Sequence, residues 1–420
     1  MKPDKKRQAI ETIRKKLIGK KLSYEEIFTL MDEIANHRLG DVLTTYFAAA
    51  SFTKGFDNEE LYHLTRAMVE TGDKLSFKGI VADKHSTGGV AGTRTTMIIV
   101  PIIAAAGIKI PKNSSRAITA PSGTADTMEV IAPVLFTVPE IKRIVEKVGG
   151  CIVWGGHLGL APADDIIIQV EEPLAFESYD KLIVSIMAKK VASGATHAVI
   201  DIPVGQNMKI KHLKDAELIE QKFFYLAKKF RIKIVTDITD TRQPAGRGVG
   251  PVLEVRDVFK VLEQTNDRPL KLEQKALHLS TKLLDLCFAD MRGEYKKGDG
   301  EEVAKELLRS GKALSKMREI IKAQGGDPEF ACSLPRPGKF QFELKTSHKG
   351  RVLGLNNHEL SVVARILGSP HDKKAGVYLS RKLEDEVDKG DILCILYSAD
   401  KWRLKEGVDT LRHLPIYRVE

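Results

Sequence analysis

A segment of eight residues, Asp83-Lys-His-Ser-Thr-Gly-Gly-Val90, combines a cation, an imidazole, two hydroxyls and two adjacent glycines ahead of a run typical of a helix. Glycine allows the backbone to curl so that several N–H groups converge, and a helix N-terminus adds a dipole that favours an anion. The side chains of Lys84, Ser86 and Thr87 supply further donors. The segment therefore predicts a loop that leads into a helix and binds phosphate or pyrophosphate.

The chain of 420 residues is long enough for two or three domains, and 43% hydrophobic residues supply a substantial core. The longest apolar run, 97–107, is too short to cross a bilayer and contains Pro101. The basic N-terminus lacks the apolar centre of a secretory signal. These features predict a cytoplasmic protein that does not act at a membrane.

The net charge of +10 is compatible with nucleic-acid binding and equally with an anionic small substrate. Lys and Arg are spread over the whole chain and mixed with Asp and Glu, and aromatic residues make up only 6%. This distribution favours a small anionic substrate over a nucleic acid.

The periodicity predicts an α/β chain of several domains. The first part, 1–75, shows helical patterns, with capping boxes at Ser23 and Asp57, a helix from Asp41 and a terminating glycine at Gly40. The region 76–330 alternates short β-branched strands with helices, which indicates a mixed or parallel sheet flanked by helices. The region 335–420 has short strands and turns typical of an α+β domain. Its hairpin resembles lipoyl- and biotinyl-type carriers, but a structural accessory domain fits the turn residues better.

A second polar segment, Lys112 to Asp126, holds five hydroxyls, an arginine and a glycine in fifteen residues. Hydroxyls and N–H groups at the start of a helix suit a phosphate, and Arg116 could pair with a phosphate or carboxylate through two hydrogen bonds. The alternative is an ordinary polar loop with capping side chains. A second anion-type loop about thirty residues after the first favours the functional interpretation.

Three further segments carry polar groups in suggestive patterns. Ser185 and Lys189 share a helix face at i, i+4, where they could bind a planar heterocycle, although a solvated lysine is the commoner case. Asp164 and Asp165 follow a glycine-rich turn and could line a site, cap a helix or, with more carboxylates nearby, bind a metal. The run Pro244 to Gly250 is a third phosphate loop or a place of close backbone packing.

Taken in order, these motifs resemble the thymidine phosphorylase family of the nucleoside phosphorylase-II superfamily. The resemblance rests on Asp83 to Val90, on the Ser-x-x-x-Lys-Lys pattern at 185–190 and on the Pro-x-Gly-Arg run at 244–247, and it covers essentially the whole chain. It implies phosphorolysis, in which inorganic phosphate attacks the anomeric carbon of a nucleoside or nucleotide and the base leaves. It implies no metal and no organic cofactor, only phosphate as co-substrate.

The resemblance also implies roles for individual residues. The phosphate would be bound by Lys84, Ser86, Gly88, Gly89, Thr95, Ser114, Ser115 and Thr124. The nucleoside or nucleotide would be bound by Arg116, Ala117, Ile118, Thr119, Ala120, Ser185, Lys189 and Lys209. His85 or Glu177 would donate a proton or a hydrogen bond to the departing base.

The segment 114–129 looks like the branch that contains AMP phosphorylases and type-2 thymidine phosphorylases. Pyrimidine-specific members have an arginine where this chain has Val170, and Lys209 matches a ligand-binding lysine of the AMP-phosphorylase branch; both favour a 5′-monophosphate. Glu177 stands where that branch usually has aspartate, and the sequence does not include the extra N-terminal domain of longer members; both favour a free nucleoside. The two substrate classes therefore remain open.

The family fold has a helical domain, completed by about 160–195, an α/β domain, and a C-terminal α+β domain, with the site in the cleft between the first two. The resemblance further implies a homodimer in nucleoside and pyrimidine metabolism. The alternative enzyme class is an anthranilate-type phosphoribosyltransferase, which shares this architecture and a Thr-Gly-Gly loop but uses pyrophosphate and usually magnesium.

Overall fold

The computed structural model describes residues 4–118, 120–171, 178–291, 295–329 and 334–420, without the side chains of Phe52 and His157. The N-terminal part is helical: α1 (Lys5–Leu17), α2 (Tyr24–Ala35), α3 (Asp41–Lys54) and α4 (Asn58–Glu70). The central part alternates strands and helices: β1 (Ala82–Ser86), α5 (Thr96–Ala105), β2 (Ile110–Ser114), α6 (Thr124–Met128), α7 (Val138–Val148), β3 (Gly150–Trp154), α8 (Pro162–Glu171), α9 (Tyr179–Ala192), β4 (His197–Val204), α10 (Leu213–Phe230), β5 (Lys233–Asp240), β6 (Gly248–Val249), α11 (Pro251–Leu262), α12 (Leu270–Phe288), α13 (Gly300–Arg309) and α14 (Lys312–Ala323).

The C-terminal part is mostly antiparallel sheet: β7 (Phe340–Lys345), β8 (Gly350–Leu355), α15 (Asn357–Ile366), β9 (Gly376–Leu379), β10 (Glu386–Val387), β11 (Ile392–Ser398), α16 (Lys401–Thr410) and β12 (Tyr417–Val419). One sheet has the order β6-β9-β11-β7 and the other β10-β8-β12. The multi-domain α/β fold predicted from the sequence is confirmed. No helix in the described ranges is both long and apolar enough to cross a membrane.

The N-terminal helices begin where the capping pattern predicts. The Ser23 and Asp57 side chains each accept a hydrogen bond from the backbone N–H of the glutamate three residues on. The carboxylate of that glutamate accepts one from the backbone N–H of the capping residue. The prediction for Gly40 is wrong: α2 ends at Ala35, and Gly40, at φ 83°, is the residue before α3. The positive φ is accommodated by glycine at the start of the next helix rather than at the end of the previous one.

A buried ion pair fixes α1 against the start of α4. Lys16 Nζ lies 2.9 Å from Glu60 Oε1, and each side chain is only 4% exposed. The same carboxylate accepts hydrogen bonds from the backbone N–H groups of Leu22 and Asp57. Because its lone pairs are used in this way, the buried charge of Glu60 is compensated on all sides.

Two later helices pack on this N-terminal group. Helix α8 contacts α2 and α3, and α9 contacts α4. Asp180 near the start of α9 accepts a hydrogen bond of 2.8 Å from the backbone N–H of Phe56. The segment that carries Ser185 and Lys189 therefore lies on the helical part of the molecule, whereas the glycine-rich loops follow strands of the sheet.

The central strands are parallel. Strands β1, β4 and β5 form one sheet in the order β1-β4-β5, and β2 pairs with β3. A parallel bridge between Val81 and Lys109 brings β2 beside β1. The carboxyl ends of these strands thus lie along one edge, the edge at which open α/β sheets bind ligands. The prediction of a continuous loop from Asp83 is wrong in part, because residues 83–86 belong to β1.

The run Pro244 to Gly250 packs closely between the central and C-terminal parts. A Cβ on Gly246 would lie 2.5 Å from Gly92 O and 2.7 Å from Asp257 Oδ2. The Asp257 carboxylate accepts from the N–H groups of Arg247 and Gly248, and the Arg247 guanidinium donates to two carbonyls near the end of β9. Close packing is therefore the role that the contacts of this run support.

Replacing Lys16 with methionine should destabilise the helical part by about 3–5 kcal/mol, because Glu60 would keep a buried charge without its cation. Urea unfolding followed by far-UV circular dichroism measures the change. The matched control is Lys15→Met on the same helix, which breaks a half-exposed pair with Glu26 and should cost at most about 1 kcal/mol. Equal destabilisation by both substitutions would contradict the assigned role of the Lys16–Glu60 pair.

Candidate functional site

The two polar segments found in the sequence meet at the carboxyl edge of the parallel sheet. Strand β1 ends at Ser86 and β2 at Ser114, and the two strands are neighbours. Because successive side chains on a strand point to opposite faces, Lys84 and Ser86 share one face and His85 points to the other. The sheet therefore places a cation and an imidazole on either side of the strand that leads into the Gly88–Gly89 turn.

Lys84 is a buried cation. It is 3% exposed, and its Nζ makes no hydrogen bond or ion pair with any residue that the structure describes. Burial lowers the pKa of Lys84 to about 8, and nearby Asp201 only partly counteracts this effect. An anion bound beside Lys84 would supply the missing counter-charge, so the position suits a phosphate.

Asp201 on β4 organises the same face and was not identified from the sequence. Its Oδ2 accepts a hydrogen bond of 2.8 Å from Ser86 Oγ, and its Oδ1 lies 2.9 Å from Lys275 Nζ on α12. Its carbonyl oxygen accepts from the Thr87 N–H. The sequence signal that could have identified Asp201 is an acidic residue inside the apolar strand 198–202. A carboxylate is rarely buried in such a strand without a cationic or hydrogen-bonding partner.

The opposite face contains a buried cluster of one acid and two cations. Asp83 forms an ion pair with Lys190 of α9, and Lys112 of β2 lies 3.5 Å away. Burial alone would raise the pKa of Asp83, but the two lysines hold it below its ordinary value. Burial lowers the pKa of Lys190 to about 7. The cluster joins the helical part to the sheet at the base of the site.

His85 is held in its neutral form. Burial, reinforced by Lys190 and Lys112, lowers the pKa of His85 well below the ordinary 6.5. Its Nδ1 is buried without a hydrogen-bond partner among the described residues. A neutral imidazole can donate through one nitrogen and accept through the other. His85 is therefore suited to donating a hydrogen bond to a substrate, rather than to carrying a full positive charge.

The second segment is a tight loop closed by Asp126. The Asp126 Oδ2 atom accepts hydrogen bonds of 2.7 Å from Ala117 N and 2.9 Å from Gly123 N. A Cβ on Gly123 would lie 2.5 Å from Ser115 O, so only glycine fits there. Arg116 stacks on the Trp154 ring and donates two hydrogen bonds, of 2.7 and 2.6 Å, to the Glu129 carboxylate. In this conformation its guanidinium binds protein carboxylates, and its role toward substrate stays a prediction.

Unpaired polar atoms are concentrated at the two loops. Among the described residues, the buried atoms without a hydrogen-bond partner include His85 Nδ1, Thr87 Oγ1, Thr95 Oγ1, Asn113 Nδ2 and Ser114 Oγ. Leaving such a group unpaired costs about 1–3 kcal/mol, so their concentration indicates a polar ligand site. Of the other residues expected to bind phosphate, Thr124 begins α6, and Ser115 is exposed. Thr87 was predicted only as a further donor of the first segment, and Asn113 was not predicted.

Ser185 and Lys189 do share a helix face, and Asp164 of α8 binds both. Ser185 Oγ donates to Asp164 Oδ2 at 2.7 Å, and Lys189 Nζ lies 2.8 Å from the same atom. Beside them, burial raises the pKa of Asp165 to about 7, although Lys189 partly opposes the shift. No group of three or more potential metal ligands occurs within the described ranges.

Lys209 follows β4 and lies against the first loop. A Cβ on Gly89 would be 3.0 Å from Lys209 Cγ and 3.6 Å from Lys209 N. The structure thus brings Lys209 next to Gly89, one of the residues expected to bind phosphate. Gly89 stands more than a hundred positions earlier in the chain. The expected proton donor Glu177 and the expected substrate residue Thr119 lie outside the described residues.

Comparison with known proteins agrees with this arrangement. Residues 78–314 match the glycosyl transferase family a/b domain, residues 10–72 its helical bundle domain, and residues 352–416 the pyrimidine nucleoside phosphorylase C-terminal domain. The AMP phosphorylases of Methanococcus vannielii and Methanocaldococcus jannaschii are each 41% identical over 99% of this chain and 81% of their own length. A putative thymidine phosphorylase of Methylococcus capsulatus is 42% identical over 93% of this chain and 74% of its own.

This chain belongs to the thymidine and AMP phosphorylase family. It is a glycosyltransferase-type phosphorylase with nucleoside phosphorylase activity, and its substrates are small molecules together with phosphate. A solved anthranilate phosphoribosyltransferase from Thermus thermophilus has a TM-score of 0.57 and 16% identity, covering 75% of this chain and 99% of that one. At that identity the likeness shows a shared fold alone.

The affinity of the phosphorylase for phosphate should depend on the charge of Lys84. Because the pKa of Lys84 is lowered to about 8, the ammonium form predominates below that pH and is lost above it. We expect kcat/KM for phosphate to fall by about tenfold per pH unit above pH 8, since this parameter reports the free enzyme. Lys84→Ala should lower kcat/KM and remove this limb, whereas the exposed control Lys78→Ala should keep the wild-type profile. An unchanged limb in Lys84→Ala would contradict the assignment.

His85 should act through a hydrogen bond rather than a charge. We expect His85→Ala to lower kcat by about 10²-fold, and His85→Asn, which retains an N–H donor, to lose less. Because the pKa of His85 is far below 6.5, wild-type kcat should show no acid limb assignable to this residue near neutral pH. The surface control His413→Ala should behave as wild type. A limb that appears in wild type and vanishes in His85→Asn would contradict the neutral form.

Proposed function

We propose that this phosphorylase acts on a nucleoside 5′-monophosphate of the AMP type. An oxygen of inorganic phosphate forms a bond to C1′ while the N-glycosidic bond breaks. The bonding electrons leave with the base, which takes up a proton, and the products are the free base and ribose 1,5-bisphosphate. Inorganic phosphate is the co-substrate, and we propose no metal or organic cofactor.

The position of Lys209 carries the choice of a monophosphate. Its side-chain stem packs against Gly89 of the first loop, so a second cation stands beside the loop that would hold inorganic phosphate. A free nucleoside brings one anion to the site, namely the attacking phosphate, whereas a 5′-monophosphate brings two. Lys84 and Lys209 provide a cation for each anion.

The loops supply what the nucleophile needs most, which is placement. Phosphate is already an anion, so holding it within reach of C1′ gives most of the rate gain available to it. The Gly88–Gly89 turn and Thr95 follow β1, Ser114 ends β2, and the hydroxyls of Thr95 and Ser114 are buried without a partner among the described residues. Together with the Lys84 ammonium they would bind the phosphate. The positive potential of these groups also acts on the phosphate, which must approach the electron-poor sugar as the attacking group.

The base and the sugar would be bound from the helical side. Asp164 fixes the orientation of Ser185 and Lys189 on α9. Lys189 lies close enough to His85 for its charge to help burial lower the pKa of that residue. As the glycosidic bond breaks, negative charge builds on the base. His85 donates a hydrogen bond to it, and Glu177 delivers the proton.

The second candidate is a free nucleoside such as thymidine. The similarity to a protein named putative thymidine phosphorylase favours it. Against it stands Val170, located where pyrimidine-specific members are expected to carry an arginine. A phosphoribosyl transfer of the anthranilate type is the third reaction, and it would show itself by a requirement for magnesium and pyrophosphate.

We further propose a homodimer in the cytoplasm, formed through the helical part. Four large apolar side chains of the helical part are exposed: Leu17 and Ile18 at the end of α1, and Val42 and Tyr46 on α3. Helices α1 and α3 contact each other, so these side chains belong to adjoining elements. Exposed apolar side chains on the helical part of the molecule would be buried if this part formed a subunit interface.

The decisive measurement is release of free base from thymidine, uridine, cytidine, adenosine and the matching 5′-monophosphates, with and without inorganic phosphate. We expect phosphate-dependent release from a monophosphate and little from the nucleosides. Release from thymidine or uridine with the monophosphates inert would contradict the proposal and favour the second candidate.

Lys209→Ala should separate the two substrate classes. We expect it to lower kcat/KM for the monophosphate by about 10²-fold and to leave residual nucleoside turnover within a few-fold, because only the monophosphate loses an ion pair. The neighbouring Lys211→Ala, on an exposed residue, is the matched control. Equal losses for nucleoside and monophosphate would show that Lys209 does not bind the 5′-phosphate.

A further inference from the structure

Asn357, the first residue of α15 in the C-terminal domain, binds two distant segments of the central domain. Its side chain is buried, with 3% of the residue exposed. Its Oδ1 accepts a hydrogen bond of 2.9 Å from Ala91 N, and its Nδ2 donates to Gly89 O at 2.5 Å and to Asn207 O at 3.3 Å. One amide group thus uses both its acceptor and its donors on backbone groups more than 140 residues away.

The two segments are those assigned to the two phosphates. Gly89 and Ala91 complete the loop expected to bind inorganic phosphate, and Asn207 precedes Lys209 by two residues. Gly88 and Gly89 have φ angles of 87° and 86°, a conformation that glycine adopts freely. The conformational freedom of glycine that allows this turn also raises the entropy cost of ordering it. A hydrogen bond from outside the turn to Gly89 O therefore has a direct effect on the geometry of the turn.

We propose that Asn357 is a positioning residue that fixes the inorganic-phosphate loop relative to the Lys209 segment. The inference rests on the proposed function, because it is the 5′-monophosphate that requires both segments at a set separation. Two bound anions repel each other, and only one arrangement brings the attacking oxygen in line with C1′. A displacement of about 1 Å can cost about 10²-fold in rate, so the amide that holds both segments controls the chemistry from outside the site.

A second contact of the same helix supports this role. Arg365 lies two turns after Asn357 on α15, and its guanidinium donates to the carbonyl oxygens of Ile118 and Ala120 in the second loop. Lys373, after α15, lies 3.3 Å from Asp126 and 2.9 Å from Glu129, the carboxylates that close that loop. The C-terminal domain therefore holds both loops, and α15 is the element that touches each.

The neighbouring Asn356 offers a matched control. Its side chain caps the same helix by accepting from His358 N and Glu359 N, and it makes no hydrogen bond to either loop among the described contacts. Asn356→Ala therefore disturbs the first turn of α15 without touching the loops. Asn357→Asp keeps the size and the acceptor, and a negative charge in the first turn favours the helix. It removes the donors to Gly89 O and Asn207 O and sets a carboxylate against both carbonyls.

The test measures kcat and KM for inorganic phosphate with a 5′-monophosphate as the second substrate, for wild type, Asn357→Asp, Asn357→Leu and Asn356→Ala. We expect both Asn357 variants to raise KM for phosphate at least tenfold and to lower kcat 10- to 100-fold. Asn356→Ala should keep KM and at most lower kcat in proportion to any loss of folded protein. Thermal melting of all four proteins reports that loss.

The outcomes separate the two proposals. If wild type turns over a monophosphate and the Asn357 variants match Asn356→Ala in KM and kcat, the positioning role is overturned and the proposed function stands. If wild type releases no base from any monophosphate, the proposed function and the inference that rests on it both fail. A raised KM for phosphate in Asn357→Asp with melting like that of wild type supports the role, because a purely structural residue would not change KM in a folded protein.

Discussion

The ion cluster of Asp83, Lys112 and Lys190 is the interaction on which the rest of the site depends. It joins three elements, β1, β2 and α9, deep in the interior. Removing Asp83 would leave two lysines without a counter-charge in a low-dielectric environment, so this carboxylate holds the three elements together. Lys190 immediately follows Lys189, and Asp83 immediately precedes Lys84. The cluster therefore fixes the face of α9 predicted to bind the base relative to the strand predicted to bind phosphate, and its surplus positive charge adds to the burial that lowers the pKa of His85.

The parts of the fold predicted well from the sequence are those whose signal is local. Helix α10 (Leu213–Phe230), which lies between β4 and β5, fits the alternation of strands and helices predicted for the region 76–330. The capping boxes at Ser23 and Asp57 are also local and are confirmed. Strand β1 was missed because its residues, Asp83 to Ser86, are mostly polar. Their strand conformation comes from pairing with β4, more than a hundred residues later, and no short window of sequence contains that information.

The same distinction applies to the site. Residue types that bind anions were predicted by their spacing, and in the structure Ser86 and Ser114 end the neighbouring strands β1 and β2. Their role toward phosphate stays a prediction. Their partners were not predicted, because Asp201 and Asp164 reach them only through tertiary packing. For Arg116 the sequence pointed to a ligand and not to a protein partner. The geometry of its guanidinium suits a ligand carboxylate or phosphate, but in the structure it donates two hydrogen bonds to the carboxylate of nearby Glu129.

Because the first loop is built from glycine, the domain that carries the loop and the domain that holds it in place are different. A loop without side chains lets phosphate approach several N–H groups closely, but the same absence removes the contacts that would hold the loop in place. The order must then come from elsewhere. In this chain it comes from Asp126 of α6 for the second loop and from Asn357 and Arg365 of the C-terminal domain for both loops. A domain that contributes no group to the predicted set of reacting residues can therefore determine how accurately the two phosphates are placed.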